Sequence, residues 1–323
     1  STLFPYTTLF RSNQRDIYDF SIKFGVKNDI RGKAEIGDYL KCKRGRYSKL
    51  SLEEKKYFDQ EQITNPFSDS RIHFDSGKTV KKIFASIDVT PGSILLAKEL
   101  GADLIFNHHP VGLALTGLDD VMSLQVDLME KIGVPVNIAE KLINKRISEV
   151  ARGINSSNHY ATVDAARLAK VSLINIHTPA DNGVFQFVTK KIAATKPRYV
   201  SDILKSLMQI KEYQIAKKQG SGPMIFSGSE NDRCGKVVVS EMTGGTEGSK
   251  EIYEAMARAG VGTIIGMHQS EQHRAAAEKA NINVVIAGHI SSDSIGMNLI
   301  LDEIEKKGIE IVPFGGLIRV KRK

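Results

Sequence analysis

KKIFASIDVTPGSILLAKELGADLIFNHHP, residues 81–110, decides the fold. Its first part, KKIFASIDV, is rich in β-branched and aromatic residues and reads as a strand. PGSILLAKELGA follows as a helix, with Pro91 at its start, where a missing N–H is harmless, and Gly101 at its end. ADLIFNHHP then reads as a second apolar strand, closed by Pro110. Strand, helix and strand in this order form a crossover unit, and apolar strands of this kind belong to a sheet covered on both faces.

The same pattern recurs downstream. GKVVVSEM (235–242) reads as a strand, TGGTEG (243–248) as a glycine-rich turn, SKEIYEAMARAG (249–260) as a helix and VGTIIGMH (261–268) as another strand. Aligned on Gly101 and Gly260, the two units place His109 opposite His268, which points to two related halves in one chain. A third unit follows: SEQHRAAAEKA (270–280) as helix, NINVVIAGH (281–289) as strand, and SSDSIGMNLILDEIEKKG (291–308) as a helix capped by Ser291 or Ser292, with Asp293 in its first turn. The expected class is therefore α/β: two related α/β lobes with mixed, mostly parallel sheets flanked by helices.

The chain has 323 residues, 41% of them hydrophobic, enough for about two domains with cores of their own. Five segments are expected. Residues 1–12, STLFPYTTLFRS, resemble the read-through of a sequencing-library adapter and are set aside. Residues 13–80 form a polar, helical segment with a basic run at Lys41, Lys43, Arg44, Arg46 and Lys49 and a capping box from Ser51 to Glu54. Residues 81–190 form the first lobe, 191–235 a linker or insert, and 236–323 the second lobe, which returns to a cleft shared with the first.

No run approaches the roughly 18 apolar residues of a membrane span, and no cleavable signal pattern is read. Cys42 and Cys234 are too few and too far apart for a disulfide or zinc framework, so a reducing, cytoplasmic setting is expected. A formal charge of +8 favours anionic partners. Nucleic acid is the weaker expectation: besides the basic run there is a basic end at Arg319, Lys321, Arg322 and Lys323, but no recognised reading motif and no tryptophan.

The histidines carry more. His108 and His109 close one strand, His177 follows VSLINI (171–176), and His268 and His289 close two others. Ligand sites in open α/β sheets lie outside the carboxyl ends of the strands, so this placement has a functional direction. Neighbouring side chains of a strand face opposite ways, and His108 and His109 can share a site only where the strand ends. In IHTPADN (176–182), His177 and Asp181 are four apart, in what reads as a loop returning a carboxylate to a strand end; an ordinary turn fits the same residues. In AGHISSD (287–293), His289 and Asp293 are separated by about one helical turn, so imidazole and carboxylate converge on one cation, or the carboxylate favours the helix N-terminus. Together these offer mixed nitrogen and oxygen donors suited to zinc, manganese, iron, cobalt or nickel, in numbers that allow two ions with a water between them. Hydrolysis is the natural reaction class.

GADLIFNHHP (101–110), HTPAD (177–181) and GHISSD (288–293), in that order, resemble the three metal signatures of the Nif-three-like family (NGG-interacting factor three), many members of which carry the label GTP cyclohydrolase I type 2. IDVTP (87–91) and TGGTEG also match, so the resemblance spans most of the chain from about Lys81 to Phe314. It implies a two-metal site, paired α/β lobes and ring-shaped homohexamers, and by match of residues His108, His109, Asp181, His289 and Asp293 as ligands of two divalent ions. Asp293 stands where the family usually has Glu, which shortens one ligand by a methylene. The interval from His109 to Asp181 is longer than usual, which leaves Asp164 as a competing ligand; the H-T-x-x-D match favours Asp181, with His159 and Asp164 lining the same cavity.

His268 is the expected catalytic acid or base, from its pairing with His109 and a titration range near neutrality. His273 is expected on a helix surface and His73 in a structural role. TGGTEG could cradle phosphate on backbone N–H groups but lacks the lysine of a P-loop and fits a tight turn. The leading expectation is a dinuclear metal-dependent hydrolase of a small anionic compound, a nucleotide or phosphoester, with basic side chains holding the anion. The alternative is a metal-stabilised scaffold or regulatory protein without turnover.

Overall fold

Apolar strands need cover on both faces, and the chain supplies it twice. The computed structural model describes residues 13–322, so the adapter-like stretch lies outside the described residues. The nine strands are β1 (Arg71–Phe74), β2 (Lys82–Ser86), β3 (Leu104–Asn107), β4 (Ser172–Asn175), β5 (Met224–Ser227), β6 (Lys236–Val239), β7 (Val261–Gly266), β8 (Asn283–Ile286) and β9 (Glu310–Phe314). They form two sheets, ordered β1-β4-β3-β2-β9 and β5-β8-β7-β6. Within the first, β2, β3, β4 and β9 are parallel and β1 is antiparallel on the edge. In the second, β6, β7 and β8 are parallel and β5 is the antiparallel edge.

The two sheets therefore share one plan, and the repeat read in the sequence is a repeat in space. Even the irregular step in each antiparallel pair recurs, between Ile72 and Phe74 and between Ile225 and Ser227. Asn107 pairs with Asn175 as Gly266 pairs with Ile286, which makes His109 and His268 occupy equivalent positions past the ends of β3 and β7.

Two helices join the halves. Helix Thr178–Thr195 leaves β4, yet its Val184, Val188 and Ile192 pack into the core over the second sheet, with Val239, Ile265 and Val284. Helix His289–Glu305 leaves β8, yet its Met297, Ile300, Leu301 and Ile304 pack with Ile83, Leu104 and Phe106 of the first sheet. Each half thus completes the core of the other, and the two helices lie against one another. Their crossing is close: a Cβ on Gly296 would collide with the backbone carbonyl of Ala180. Helix Gln14–Asn28 presses on the same place, where a Cβ on Gly25 would lie 2.6 Å from Pro179 Cβ.

The stretch 191–235, expected as a linker or insert, holds helices Val200–Leu207 and Lys211–Lys218 besides β5. Val200, Ile203, Leu207 and Tyr213 belong to the second core. β9, from the end of the chain, pairs with β2 and so extends the first sheet. Of the basic end, Arg319 pairs with Asp302 and Glu305, Lys321 with Glu305, and Arg322 with buried Glu212, while Lys323 lies outside the described residues. In the basic run, Lys43 pairs with Asp120 and Arg44 donates to the Ile63 carbonyl. The Ser51 to Glu54 capping box is present as read. Among the described residues, no helix is long and apolar enough to cross a membrane.

Because the Ala180 carbonyl belongs to a helix backbone, it cannot give way to an added methyl. Gly296→Ala should destabilise the metal-free protein by about 1–3 kcal/mol through overpacking. It should also lower metal uptake, since Asp181 and Asp293 flank the crossing. Urea unfolding with metal analysis checks both; unchanged values would show that the helices have room to part.

Candidate metal centre

β3 runs on past Asn107, with the His108 N–H donating to the Ser86 carbonyl and the His109 N–H to the Ile87 carbonyl, before Pro110 ends the ladder. HTPAD is not the loop expected. Helix Thr178–Thr195 starts there, with His177 as the residue before it, because proline is at home in a first helical turn. Helix His289–Glu305 also starts earlier than read: its first residue is His289, preceded by Gly288 at φ 115°, and Ser291, Ser292 and Asp293 lie inside it. A side chain at Gly288 would meet Ser291 Oγ at 2.7 Å, so the sharp turn needs glycine. Both His–Asp pairs thus stand four residues apart at a helix start, which stacks them on one face.

The two helix starts and the end of β3 bring all five sequence-predicted ligands together. His108 Nε2 lies 3.4 Å from Asp181 Oδ1 and 3.5 Å from Asp293 Oδ1. Asp293 Oδ2 lies 3.2 Å from His109 Nε2 and 3.5 Å from His289 Nε2. His177, which the motif match did not assign, places Nε2 3.7 Å from Asp181 Oδ2. Two triads have the mutual spacing of a cation site: His108, His109 and Asp293, and His108, His177 and Asp181.

These separations suit cations rather than hydrogen bonds. Ligands about 2.1 Å from a tetrahedral ion stand about 3.4 Å from one another. His108 Nε2, Asp181 Oδ1 and both Asp293 oxygens are buried without any hydrogen-bond partner. Leaving such groups unpaired is costly, and buried charges are normally paired or bound to metal. The donor set therefore fits divalent ions on the chemistry of its own atoms.

Three imidazoles are also held from behind. Nδ1 of His108 donates to the Ile176 carbonyl at 3.0 Å, that of His109 to Asp88 at 2.8 Å, and that of His177 to Asp69 at 2.7 Å. These partners only accept, so Nδ1 carries the proton and Nε2 is the nitrogen turned to the centre, the arrangement metal-bound histidines adopt.

The family model for DUF34/NIF3 (NGG1p interacting factor 3) matches residues 73–314. The chain belongs to the DUF34/NIF3 family. A NIF3 superfamily protein from Sphaerobacter thermophilus has the same fold, with 24% identity and a TM-score of 0.73 over 96% of this chain and 100% of that one. Reduced HcgD from Methanocaldococcus jannaschii is similar at 15% identity and a TM-score of 0.45, over 81% and 95%. Staphylococcus aureus protein SA1388 follows at 13% and 0.44, over 76% and 89%. No curated protein matches the chain in sequence.

In this NIF3-family chain the remaining candidates separate clearly. Asp164 is exposed, pairs with Arg167 at 3.2 Å and takes no part in the cluster, so it does not compete with Asp181. His159 bonds the Ser157 carbonyl and forms no ion pair with the cluster. His73 contacts Asn175 Oδ1 at 2.7 Å, and burial lowers its pKa to about 4, as suits a structural residue. TGGTEG is a turn packed against the first half: Gln125 Nε2 donates to the Gly244 and Thr246 carbonyls.

His268 does lie at the centre, its ring 4.6 Å from that of His289. Glu247, 3.6 Å from its Nδ1, raises its pKa against the effect of burial. Burial works against a charged Glu247 too, but His268, His273 and the Ser270 N–H hold its pKa at about 2. His273 is not on a helix surface: it is buried between Ser270 and the Gly248 carbonyl. Glu247 came within a quoted motif and Asp88 within the IDVTP match, but neither was assigned a role. Asp69 carried no periodic or spacing signal. Every ion pair recorded for this cluster joins histidine to carboxylate, so among the described residues the expected basic side chains are not paired into it.

The metal-free cluster binds protons where a cation would sit. Burial opposes a charged His108, but Asp293 and Asp181 carry its pKa well above the usual imidazole value. Against the same opposition Asp293 and Asp88 raise His109 to about 9. Burial and the neighbouring histidines keep His289 at about 4 despite Asp293. Burial alone would raise Asp293, yet the imidazoles around it hold it well below the usual range. At neutral pH a cation must therefore displace protons from His108 and His109, and apparent affinity should fall as pH drops below about 9. Calorimetric titration with Zn2+ in buffers of different ionisation enthalpy should show net release of one proton or more per protein at pH 7.5; no buffer dependence would contradict this charge arrangement.

Proposed function

We propose that this NIF3-family chain is a dinuclear metal-dependent hydrolase of a small anionic substrate, a nucleotide or phosphoester. The observation that carries the reading is that the cluster is sealed on one side and open on the other. His108, Asp181 and Asp293 are buried, whereas the side chains of His109, His268 and His289 are 24%, 31% and 40% exposed. Structural metal sites are closed, and catalytic ones keep a side for water and substrate.

His108, His177 and Asp181 would hold one ion, and His109, His289 and Asp293 the other, with Asp293 turned to both through its two oxygens. Bound divalent ions of this kind lower the pKa of water and offset charge on a phosphoryl or carbonyl oxygen. Zinc, manganese, iron, cobalt and nickel all suit the donors. His268 stands beside the open edge and would donate or accept the proton of the reacting group, with Glu247 favouring its charged form. An anionic substrate would be met by the cations themselves, since the ion pairs of the cluster include no lysine or arginine.

A metal-stabilised scaffold without turnover is the second reading. Its support is that the donors come from both halves of the chain, so a bound cation also ties Asp181 to Asp293 across the helix crossing. One set of measurements separates the two. Metal analysis of wild type should find two divalent ions, and His108→Ala, which removes a donor of the ion held with His177 and Asp181, should lose most of that one. His268→Asn should keep its metal while turnover in a screen of nucleotides and phosphoesters falls about 10²–10⁴-fold. A silent screen with full metal content, and a melting temperature that drops on chelation, would favour the scaffold. Unchanged metal content in His108→Ala would remove both readings.

A further inference from the structure

We infer that Asp69 is a positioning residue of the metal centre, acting through His177 on the cation held beside Asp181. The inference rests on the two-metal reading above. Asp69 is fully buried. Its Oδ2 accepts from His177 Nδ1 at 2.7 Å, from the Thr178 hydroxyl at 2.6 Å and from the Thr178 N–H at 3.3 Å, and Ser70 Oγ lies 3.4 Å from Oδ1. No lysine or arginine is among these partners, and the His177 ring is the titratable group that bonds this carboxylate directly. That ring turns its other nitrogen to Asp181, 3.7 Å away. A cation on His177 Nε2 would polarise the Nδ1–H toward Asp69, and Asp69 in turn would make the imidazole a stronger donor and fix which nitrogen carries the proton.

The carboxylate is held in place with care. Asn175 Nδ2 donates to the Asp69 carbonyl at 2.7 Å, and the His177 N–H donates to Ser70 Oγ at 2.9 Å. The Ser70 carbonyl is in turn fixed by the Tyr18 hydroxyl at 2.7 Å, and Asn65 donates to the same carbonyl and to that of Phe67. Asp69 thus comes from a loop that helix Gln14–Asn28 holds down, ahead of the 73–314 region that the family model covers. The segment before β1 supplies a working part of the centre.

Helix capping is the competing role, because Asp69 also accepts from the first residue of helix Thr178–Thr195. The full chain should be stripped of metal and reloaded with Co2+. Stepwise affinity is read by chelator competition, and the visible absorption of bound cobalt reports its ligands. Asp69→Asn should weaken one of the two ions about 10–100-fold and change its absorption, with the other ion and the metal-free melting temperature close to wild type. In a His177→Gln background the same substitution should have no further effect on cobalt, since Asp69 acts through that ring. Should Asp69→Asn fail to fold, Asp69→Glu serves the same comparison. Wild-type cobalt binding and spectrum in the variant would overturn the inference, as would a fall in metal-free melting temperature with cobalt binding intact. Wild type that takes up no cobalt would instead count against the two-metal reading itself.

Discussion

The structure depends on two buried carboxylates whose ion-pair partners are imidazoles. Asp181 and Asp293 face one another's imidazoles from the starts of two crossing helices, and neither has a lysine or arginine beside it. A buried carboxylate in an apolar core normally protonates or finds a charge. Here histidines close every approach, and they hold Asp293 ionised even in the absence of metal. The helices that carry these groups cannot part without opening both cores, because each packs on the sheet of the opposite half. Packing thus fixes the carboxylates and imidazoles at separations that a cation could fill.

The duplicated plan explains how such a site arises and why it is not symmetric. Each half offers a strand end and a helix start, and each helix carries His and Asp four residues apart. The pairs are out of step by one residue: His177 precedes its helix, whereas His289 is the first residue of its own. One residue turns a helical side chain by about 100°, so the two carboxylates do not take equivalent positions. The strand ends differ as well. His108 and His109 stand past β3, but Met267 and His268 stand past β7, and the apolar Met267 leaves the second half one donor short. His268 stands at the partly exposed edge of the cluster.

Much of this was legible in the sequence, for reasons that also explain the gaps. The crossover units were visible because β-branched runs, a proline and two glycines mark strand and helix limits locally. The cluster of imidazoles and carboxylates was legible because strand ends gather polar side chains and the motifs keep their spacing. HTPAD was misread as a loop because Pro, Asp and Asn suit a turn and a first helical turn equally, and only packing decides. The start of the last helix was misplaced because serines are strong caps, whereas the cap in use is a glycine whose backbone angle no side chain tolerates. His273 looked exposed among polar helix residues, since burial against the Gly248 carbonyl arises from a segment far in sequence. Asp69 is invisible for the same reason: 108 residues separate it from His177, and nothing local marks a carboxylate that serves a distant ring.

Electrostatics puts the composition in its place. The chain carries a formal +8, yet part of that charge is neutralised at the C-terminal end by Asp302, Glu305 and Glu212, and part in the N-terminal segment by Asp120. The centre itself gathers Asp69, Asp88, Asp181, Glu247 and Asp293 around five imidazoles. Carboxylates in this number suit a cation better than an anion. Whole-chain charge says little about ligand preference here, because the groups that decide it number fewer than a dozen and are set by the fold.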